Sequence, residues 1–343
     1  MTTNETESPS PALFFDTLIA YQHTEALKAA LELDIFSAIG EAAATAAQLA
    51  EKIGAAERGV RILADYLTVR GFLKKEKDRY SLTRDSATFL DRKSPAYAGS
   101  AAEFLLSPQI RNSFTNLTEA VRKGGTAMDE AGTLAPEHPV WISFAKGMAP
   151  MMHPPAQMLA ELVALDLERE TKVLDISASH GIYGIAFARK YPKSTLVALD
   201  WAPVLEVARE NARAAGLEDR FETIAGDAFT VDFGADYDAV LIPNFLHHFD
   251  QETCVQFLKK VHGALRPGGQ VAIVEFVPNP DRVTPPESAP FSLVMLASTP
   301  SGDAYTFEEF RDMLERSGFA SITKQALPPS AATAVIAQKS KAL

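Results

Sequence analysis

Short apolar runs alternate with amphipathic segments from Lys172 to the end of the chain. The apolar runs lie near residues 172–177, 195–199, 221–225, 238–243, 270–276, 321–326 and 332–338. Strands that alternate with helices in this way are typical of a doubly wound, mostly parallel sheet. The residues that follow the carboxyl ends of these strands are therefore expected to line a ligand crevice.

The first third of the chain has a different pattern, in which two helical segments precede a short hairpin. Apolar residues recur at helical spacing in "TAAQLAEKIG" and again in "AERGVRILADYLTVRGFL", where Val60 and Leu67 share one face. The segment "FLKKEKDRYSLT" then predicts two short strands around a polar turn at Lys77 and Asp78. Helix, turn, helix and hairpin in this order predict a winged-helix domain over residues 1–100.

A long apolar segment, "FFDTLIAYQHTEALKAALELDIFSAI", lies at the start of this domain. Its pattern predicts a helical region with Leu27, Leu31 and Ile35 in register. The segment is too apolar for a helix that faces only water. We therefore expect it to pack against a second domain or a second subunit.

Residues 101–165 are predicted to form a helical linker between this domain and the sheet domain at 166–343. The linker carries a cluster of large side chains at Trp141, Phe144, Met148, Met151 and Met152. Such clusters belong to a hydrophobic core more often than to a ligand pocket, but this one leads directly into the sheet domain. We expect Phe144, Met148 and Met152 to line a substrate pocket.

Composition argues against several classes of protein. The chain has 343 residues, 47% of them hydrophobic and 22% charged, and a net charge of −11. The N-terminal "MTTNETESPS" lacks the features of a signal peptide, and no apolar run approaches the ~20 residues that cross a bilayer. The single cysteine, Cys254, suits a reducing compartment. We therefore expect a cytoplasmic protein without a membrane partner.

The winged-helix pattern suggests DNA binding, but the charge balance argues against it. Basic residues cluster near the second helix and the hairpin, at Arg58, Arg61, Arg70, Lys74, Lys75, Lys77 and Arg79. Residues 1–100 nevertheless contain 14 acidic residues against 12 basic ones. A DNA-binding module usually has a clear basic excess. We therefore expect this domain to mediate dimerisation rather than to bind nucleic acid.

The predicted strand ends are rich in acids and lack a basic residue for a phosphate. They contain Asp175 in "VLDISASHG", Asp200, Asp227 in "AGDAF", Asn244–His248 and Glu275. The phosphate-binding pattern GxxxxGK[ST] does not occur in the sequence. Asp200 could accept both hydroxyls of a ribose, and Asp227 an adenine amino group. S-Adenosylmethionine has these groups and a positive sulfonium, which suits a row of acids.

Six motifs, in order along the chain, resemble those of the small-molecule O-methyltransferases, which include plant caffeate-type and bacterial natural-product enzymes. They are "VLDISASHG", "LVALDW", "IAGDAF", "NFLHHFDQETC", "LRPGGQVAIVEF" and "GDAYTFEEFRDMLERSGF". The resemblance covers nearly the whole chain. It implies an α/β fold with a Rossmann-like, seven-stranded class I methyltransferase domain after an α-helical winged-helix dimerisation domain. It also implies a homodimer, S-adenosylmethionine as cofactor, a small-molecule acceptor and no metal.

The resemblance also assigns roles to individual residues. His247 matches the general base by its spacing of seven residues to Cys254, and Glu275 matches a glutamate that orients this base. Cofactor contacts are expected from Asp175, Ser177, Gly181, Asp200, Trp201, Gly226, Asp227, Ala228 and Asn244. Acceptor contacts are expected from Phe144, Met148, Met152, His248, Phe291 and Met295.

Two departures from the family pattern affect the site. The family usually has DxGGGxG where this chain has Ile-Ser-Ala-Ser-His between Asp175 and Gly181, so that only the last glycine remains. Small side chains are tolerable there because this cofactor makes fewer close backbone contacts than a pyrophosphate. A second glutamate of the family is replaced by Ala304, and the adjacent Asp303 is the candidate substitute.

The leading hypothesis is methyl transfer from S-adenosylmethionine to a phenolic or enolic hydroxyl of a small aromatic molecule. A neutral imidazole, with a pKa of about 6.5, takes a proton from a phenol near about 10 far more readily than from an alkyl alcohol. Two alternatives stay open. One is an S-adenosylmethionine-binding relative with a different reaction, such as hydroxylation, and the other is a winged-helix DNA-binding regulator.

Overall fold

Two units make up the chain, whose structure is a computed structural model that describes residues 8–128, 132–135 and 137–340. The first unit is Met1–Ala102 and the second is Glu103–Leu343. None of the described helices is long and apolar enough to cross a membrane.

The first unit combines helices with a small antiparallel sheet of order β1-β3-β2. Its elements are α1 (Ala12–Glu32), α2 (Ile35–Ile39), β1 (Ala44–Thr45), α3 (Ala46–Ile53), α4 (Glu57–Val69), β2 (Leu73–Glu76), β3 (Arg79–Leu82) and α5 (Arg84–Phe89). Gly54 ends α3 in the left-handed region (φ 67°), as its position after the apolar pattern predicts. Leu49 of α3 and Leu67 of α4 are buried together in the core of this unit. The predicted winged-helix arrangement is confirmed.

The predicted apolar helix at the N-terminus is divided in two. α1 ends at Glu32, and Asp34 takes a left-handed backbone (φ 54°) before α2 begins at Ile35. The carboxylate of Asp34 accepts a hydrogen bond from Ser37 Oγ (2.7 Å), a local contact that favours a turn over a continuous helix. The first half of α1 exposes a set of large apolar side chains: Leu13, Phe14, Phe15, Leu18, Ile19 and Tyr21.

The second unit contains the large sheet and the helices around it. α6 (Ala101–Leu105) begins at the boundary between the units. The remaining helices are α7 (Pro108–Thr115), α8 (Leu117–Lys123), α9 (Val140–Leu162), α10 (Ile182–Lys190), α11 (Ala202–Ala214), α12 (Gln251–Ala264), α13 (Phe291–Ser298) and α14 (Phe307–Arg316). The strands are β4 (Thr171–Ile176), β5 (Ser194–Asp200), β6 (Phe221–Ala225), β7 (Tyr237–Pro243), β8 (Leu265–Glu275), β9 (Phe319–Ala326) and β10 (Thr333–Lys339).

The seven strands form one sheet of order β6-β5-β4-β7-β8-β10-β9, which confirms the predicted fold class. The strands from β6 to β8 are parallel, and β10 is antiparallel to both its neighbours. Successive residues such as Val173 and Leu174 pack into separate hydrophobic clusters, because neighbours along a strand point to opposite faces. β8 begins at Leu265, earlier than predicted, since Leu265 pairs with Tyr237 before a register shift. The carboxyl ends of five parallel strands therefore meet along one edge.

Candidate active site

A cavity of about 630 Å³ lies at the carboxyl ends of the parallel strands. Helix α9, the loop after β4, the ends of β5 to β7 and helix α13 contribute its walls. All the site residues expected from the sequence line this cavity, except for Asp175, Gly181 and Glu275. The structure therefore brings most of the predicted cofactor residues and all of the predicted acceptor residues to one cavity.

The acids expected to hold an adenosine lie on neighbouring strands of this edge. Asp200 ends β5 and is 8% exposed; its carboxylate accepts hydrogen bonds from the backbone N–H of Ser179 (2.8 Å) and of Trp201 (2.7 Å). Burial raises the pKa of the Asp200 carboxyl to about 6. Asp227 follows β6, and its carboxylate accepts from the N–H of Phe229 (2.9 Å), which fixes the turn after this strand.

Asp175 and Gly181 lie behind the cavity wall and do not line it, contrary to the expected cofactor contact. The buried carboxylate of Asp175 accepts from the N–H of Gly184 in α10 (3.0 Å), and burial raises the pKa of this carboxyl to about 8. Gly181 has φ 72°, and a Cβ there would lie 3.2 Å from Cβ of Ala208 in α11. Both residues therefore hold α10 and α11 in place behind the loop.

The histidine expected to act as base and its glutamate meet because β7 and β8 are neighbours. His247 lies in the 3₁₀ turn Leu246–His248, after β7, and its Nδ1 bonds to Oε2 of Glu275, the last residue of β8. Oε1 of Glu275 accepts from the backbone N–H of Phe245 (3.1 Å) and of His247 (3.3 Å). In the neutral tautomer whose Nδ1–H donates a hydrogen bond to the carboxylate, Nε2 of His247 keeps a lone pair.

Asp303 does not take the place of the missing second glutamate. Ala304 is fully buried, and the Asp303 carboxylate pairs with Arg282 (3.2 Å) while it lines a separate cavity. The backbone N–H of Asp303 donates to the carbonyl oxygen of His247 (2.9 Å). Within the part of the chain that the structure describes, Glu275 is therefore the single carboxylate bonded to the His247 ring.

Aromatic side chains form the wall next to His247 and the wall on α9. The ring of Phe291 packs edge-on to His247 (4.8 Å between ring centroids) and stacks on Phe276 (4.2 Å). Phe144 packs edge-on to Phe104 (5.0 Å). Flat rings on both walls suit a flat aromatic ligand.

His248 also lines the cavity, but its ring is tied to its own turn. Its Nδ1 donates to the carbonyl oxygen of Phe245 (3.1 Å), and its ring packs edge-on to Trp141 (5.3 Å). Burial, with a smaller effect of the neighbouring His247, holds the pKa of His248 well below its ordinary value. His248 is therefore neutral at physiological pH.

Several further cavity residues were missed by sequence reasoning, among them Trp141, Ser179, His180, Tyr183 and Phe276. Trp141 belongs to the cluster of large side chains on the linker, but the sequence does not distinguish it from the core residues of that cluster. Tyr183 and Phe276 carry no sequence signal, since one lies within a helix and the other directly follows a strand. His180 did have a signal, because it is the one large ring in a loop that is rich in glycine in the family, although it falls at the variable position of DxGGGxG.

The residues present fit S-adenosylmethionine. Among the described residues that line the cavity there is no Lys or Arg, so a pyrophosphate would meet the carboxylates of Asp200 and Asp227 without a cation. The same carboxylates suit ribose hydroxyls, an adenine amino group and a nearby positive sulfonium. In addition, the hydroxyl of Ser179 is buried on the cavity wall without a hydrogen-bond partner, as expected where a polar ligand completes the site.

Two family models match this chain. The O-methyltransferase domain matches residues 115–320, and the O-methyltransferase dimerisation domain matches residues 15–92. The chain belongs to the O-methyltransferase family. This confirms the resemblance seen in the sequence and the enzyme class, an S-adenosylmethionine-dependent O-methyltransferase.

Curated relatives and solved structures agree with this assignment. The 3-hydroxy-5-methyl-1-naphthoate 3-O-methyltransferase of Streptomyces sahachiroi is 28% identical over 330 residues, which cover 95% of this chain and 94% of that protein. A crystal structure from Nostoc punctiforme, described as an O-methyltransferase, is 54% identical with a TM-score of 0.93 and covers 97% of this chain and 100% of its own. Human N-acetylserotonin methyltransferase in complex with S-adenosylmethionine shares the fold, at 20% identity and a TM-score of 0.84, over 99% of this chain and 100% of its own.

Proposed function

We propose that this enzyme methylates a phenolic or enolic hydroxyl of a small aromatic molecule, with His247 as the general base. The observation that carries the proposal is the buried Glu275–His247 pair, of which His247 lines an aromatic cavity. The naphthoate-methylating relative from Streptomyces sahachiroi supports an aromatic acceptor.

Proton removal is the step that the protein's own groups perform. The lone pair on Nε2 of His247 takes the proton of the acceptor hydroxyl, and the ring becomes an imidazolium. Glu275, which is 1% exposed and bonded to Nδ1, keeps the ring in the correct tautomer and stabilises the positive charge that forms. When bound, S-adenosylmethionine supplies a methyl group activated by a positive sulfonium.

The remaining cavity residues bind and align the two molecules. We infer that Asp200 accepts the ribose hydroxyls and Asp227 the adenine amino group, while Ser177, Trp201, Gly226, Ala228 and Asn244 complete the cofactor half. The acceptor half consists of Phe144, Met148, Met152, His248, Phe291 and Met295. Its apolar walls exclude water, and alignment of the reactants accounts for a large share of the rate in a displacement of this kind.

Product analysis tests this proposal directly. We expect the enzyme to transfer label from methyl-labelled S-adenosylmethionine to the oxygen of phenols in a panel that also contains alkyl alcohols and phenols blocked as methyl ethers. Mass spectrometry should show the gain of a methyl group, and NMR should place it on oxygen. A blocked phenol that is still methylated, or a product that gains an oxygen atom instead, would contradict the proposal.

We also expect the protein to form a homodimer through the first unit. The dimerisation-domain match spans residues 15–92, and α1 exposes a row of large apolar side chains that water does not favour. Light scattering at micromolar concentration should give the mass of a dimer. The double variant Phe14→Asp, Leu18→Asp should shift it toward monomer, whereas Arg58→Asp, a change at an exposed charge of α4, should not. A monomeric wild-type protein would refute the expectation.

A further inference from the structure

The order of the strands at the cavity edge indicates which residues face each part of the cofactor. Asp227 follows β6 and Asp200 ends β5, and the next strand in the sheet order β6-β5-β4 is followed by the loop Ser177–Gly181. With adenine at Asp227 and ribose at Asp200, the methionyl end of the cofactor faces this loop. That end carries a carboxylate, which needs hydrogen-bond donors when it leaves water.

The usual donors for a buried carboxylate are not available here. The described residues that line the cavity include no Lys or Arg. The start of α10 could offer free backbone N–H groups to an anion. However, the N–H of Ile182 already donates to Nδ1 of His180 (3.2 Å), and that of Gly184 donates to Asp175 (3.0 Å). Side chains of the loop are therefore candidate donors.

His180 has a donor in the right place. Its ring is 2% exposed and lies beside those of Phe144 (6.2 Å between centroids) and Tyr183 (6.3 Å). Because Nδ1 accepts from Ile182, the ring proton is on Nε2, which bonds to no described residue. Burial lowers the pKa of His180 to about 3, so that the ring donates in its neutral form.

Ser179 provides a second donor beside it. Its hydroxyl is buried without a partner, and its backbone is held in the left-handed region (φ 53°) by the bond from its N–H to Asp200. A non-glycine residue rarely adopts this conformation unless the surrounding structure holds it. The fixed backbone of the loop therefore places both donors, Ser179 and His180, at the cavity wall.

We propose that Nε2–H of His180 and the hydroxyl of Ser179 bind the carboxylate of the cofactor's methionyl group. This loop would then hold the carboxylate with neutral donors instead of a cation. The proposal rests on S-adenosylmethionine as the cofactor and is independent of the acceptor and of the role of His247.

Calorimetry with two cofactor analogues measures the contribution of the carboxylate contact, and the experiment needs no methyl acceptor. S-Adenosylhomocysteine and 5′-methylthioadenosine share the adenosine and the thioether, but only the first has the amino-acid group. In His180→Asn the amide oxygen can replace Nδ1 as acceptor for Ile182, while the Nε2 donor is lost. In His180→Gln the amide nitrogen can reach the Nε2 position.

We expect His180→Asn to weaken S-adenosylhomocysteine binding by about 10-fold or more, the scale for a bond to a charged group, and to leave 5′-methylthioadenosine binding unchanged. His180→Gln should retain most of the affinity for S-adenosylhomocysteine. Ser179→Ala should give a smaller loss that is again confined to this ligand. Unchanged affinity for 5′-methylthioadenosine also shows that a variant is folded.

Three results would overturn the proposal. An equal loss for both ligands in His180→Asn means that His180 only shapes the loop. Unchanged binding of S-adenosylhomocysteine means that other groups hold the carboxylate. If His180→Gln loses affinity for S-adenosylhomocysteine as selectively and as strongly as His180→Asn, a donor at the Nε2 position does not bind the carboxylate.

Discussion

Replacement of His247 by alanine should lower kcat on a phenol by ~10²–10⁴-fold, the range for loss of a general base. Affinity for S-adenosylhomocysteine should hardly change, because Asp200 and Asp227 hold the adenosine on other strand ends. Steady-state methylation assays and calorimetry on the same preparations measure the two quantities separately. His262→Ala, a change on α12 outside the described lining of the cavity, is the matched control and should retain full activity.

The pH profile of His247→Ala distinguishes loss of the general base from misplacement of the acceptor in the cavity. As the pH approaches about 10, where phenols ionise without help, the deficit of His247→Ala should shrink. A phenol with a lower pKa should likewise be less affected by the substitution. A deficit that is constant with pH and with phenol acidity would point to a misplaced acceptor, and full activity at neutral pH would exclude His247 as the base.

Glu275→Gln should give an intermediate loss. The amide oxygen can still accept from the N–H of Phe245, but the NH2 group then faces Nδ1 as a second donor, which disfavours the tautomer with a lone pair on Nε2. The amide also carries no charge to stabilise the imidazolium. Because Ala304 offers no second carboxylate and Asp303 pairs with Arg282, this charge has no described substitute at the His247 ring. A variant as active as the wild type would limit Glu275 to a structural role.

Asp200→Ala should weaken S-adenosylmethionine binding by about 1.5–3 kcal/mol, the scale for hydrogen bonds to a charged group. Asp200→Asn is the matched variant, since its amide oxygen can still accept from the N–H of Ser179, while the acceptor for the N–H of Trp201 is lost. If the negative charge and the paired contact with the ribose hydroxyls provide the affinity, Asp200→Asn should lose most of the binding free energy that Asp200→Ala loses. Unchanged affinity in both variants, measured by calorimetry, would place the ribose elsewhere.

The raised pKa of Asp200 gives this contact a pH dependence with a definite sign. Burial raises the pKa of the carboxyl to about 6, so it is ionised above that pH and protonated below it. Cofactor affinity should therefore be constant at neutral pH and fall as the pH drops below about 6, by at most about tenfold per pH unit. Asp200→Asn should remove this dependence, and an unchanged slope in the variant would assign it to another group.

Features that depend on local pattern were predictable from the sequence. The seven strands were found from short apolar runs, because a buried strand of a parallel sheet is apolar on both faces over a few residues. Once the strands were placed, the rule that ligands bind at their carboxyl ends located Asp200, Asp227, His247 and Glu275. Whether these residues perform the proposed roles stays a prediction that the experiments above test.

The tertiary structure decided which way individual side chains face. The carboxylate of Asp175, near the end of β4, bonds to α10 instead of lining the cavity, and Gly181 packs closely against α11, which no linear pattern records. In the same loop, Ser179 lines the cavity and has a positive φ, and its N–H bonds to Asp200, 21 residues further along the chain.

Contacts between distant segments were likewise beyond the sequence. The bond between His247 and Glu275 joins residues 28 positions apart at the ends of neighbouring strands, and the stack of Phe276 on Phe291 joins the residue after β8 to the first residue of α13. The break at Asp34 depends on a turn contact with Ser37 that competes with a continuous helical pattern. The sequence by itself thus determined the family, the strands and the edge of the sheet that binds ligands, since local periodicity and backbone geometry set these. The loop dihedrals and long-range packing, which only the folded chain defines, decided which side chains at that edge meet in the cavity.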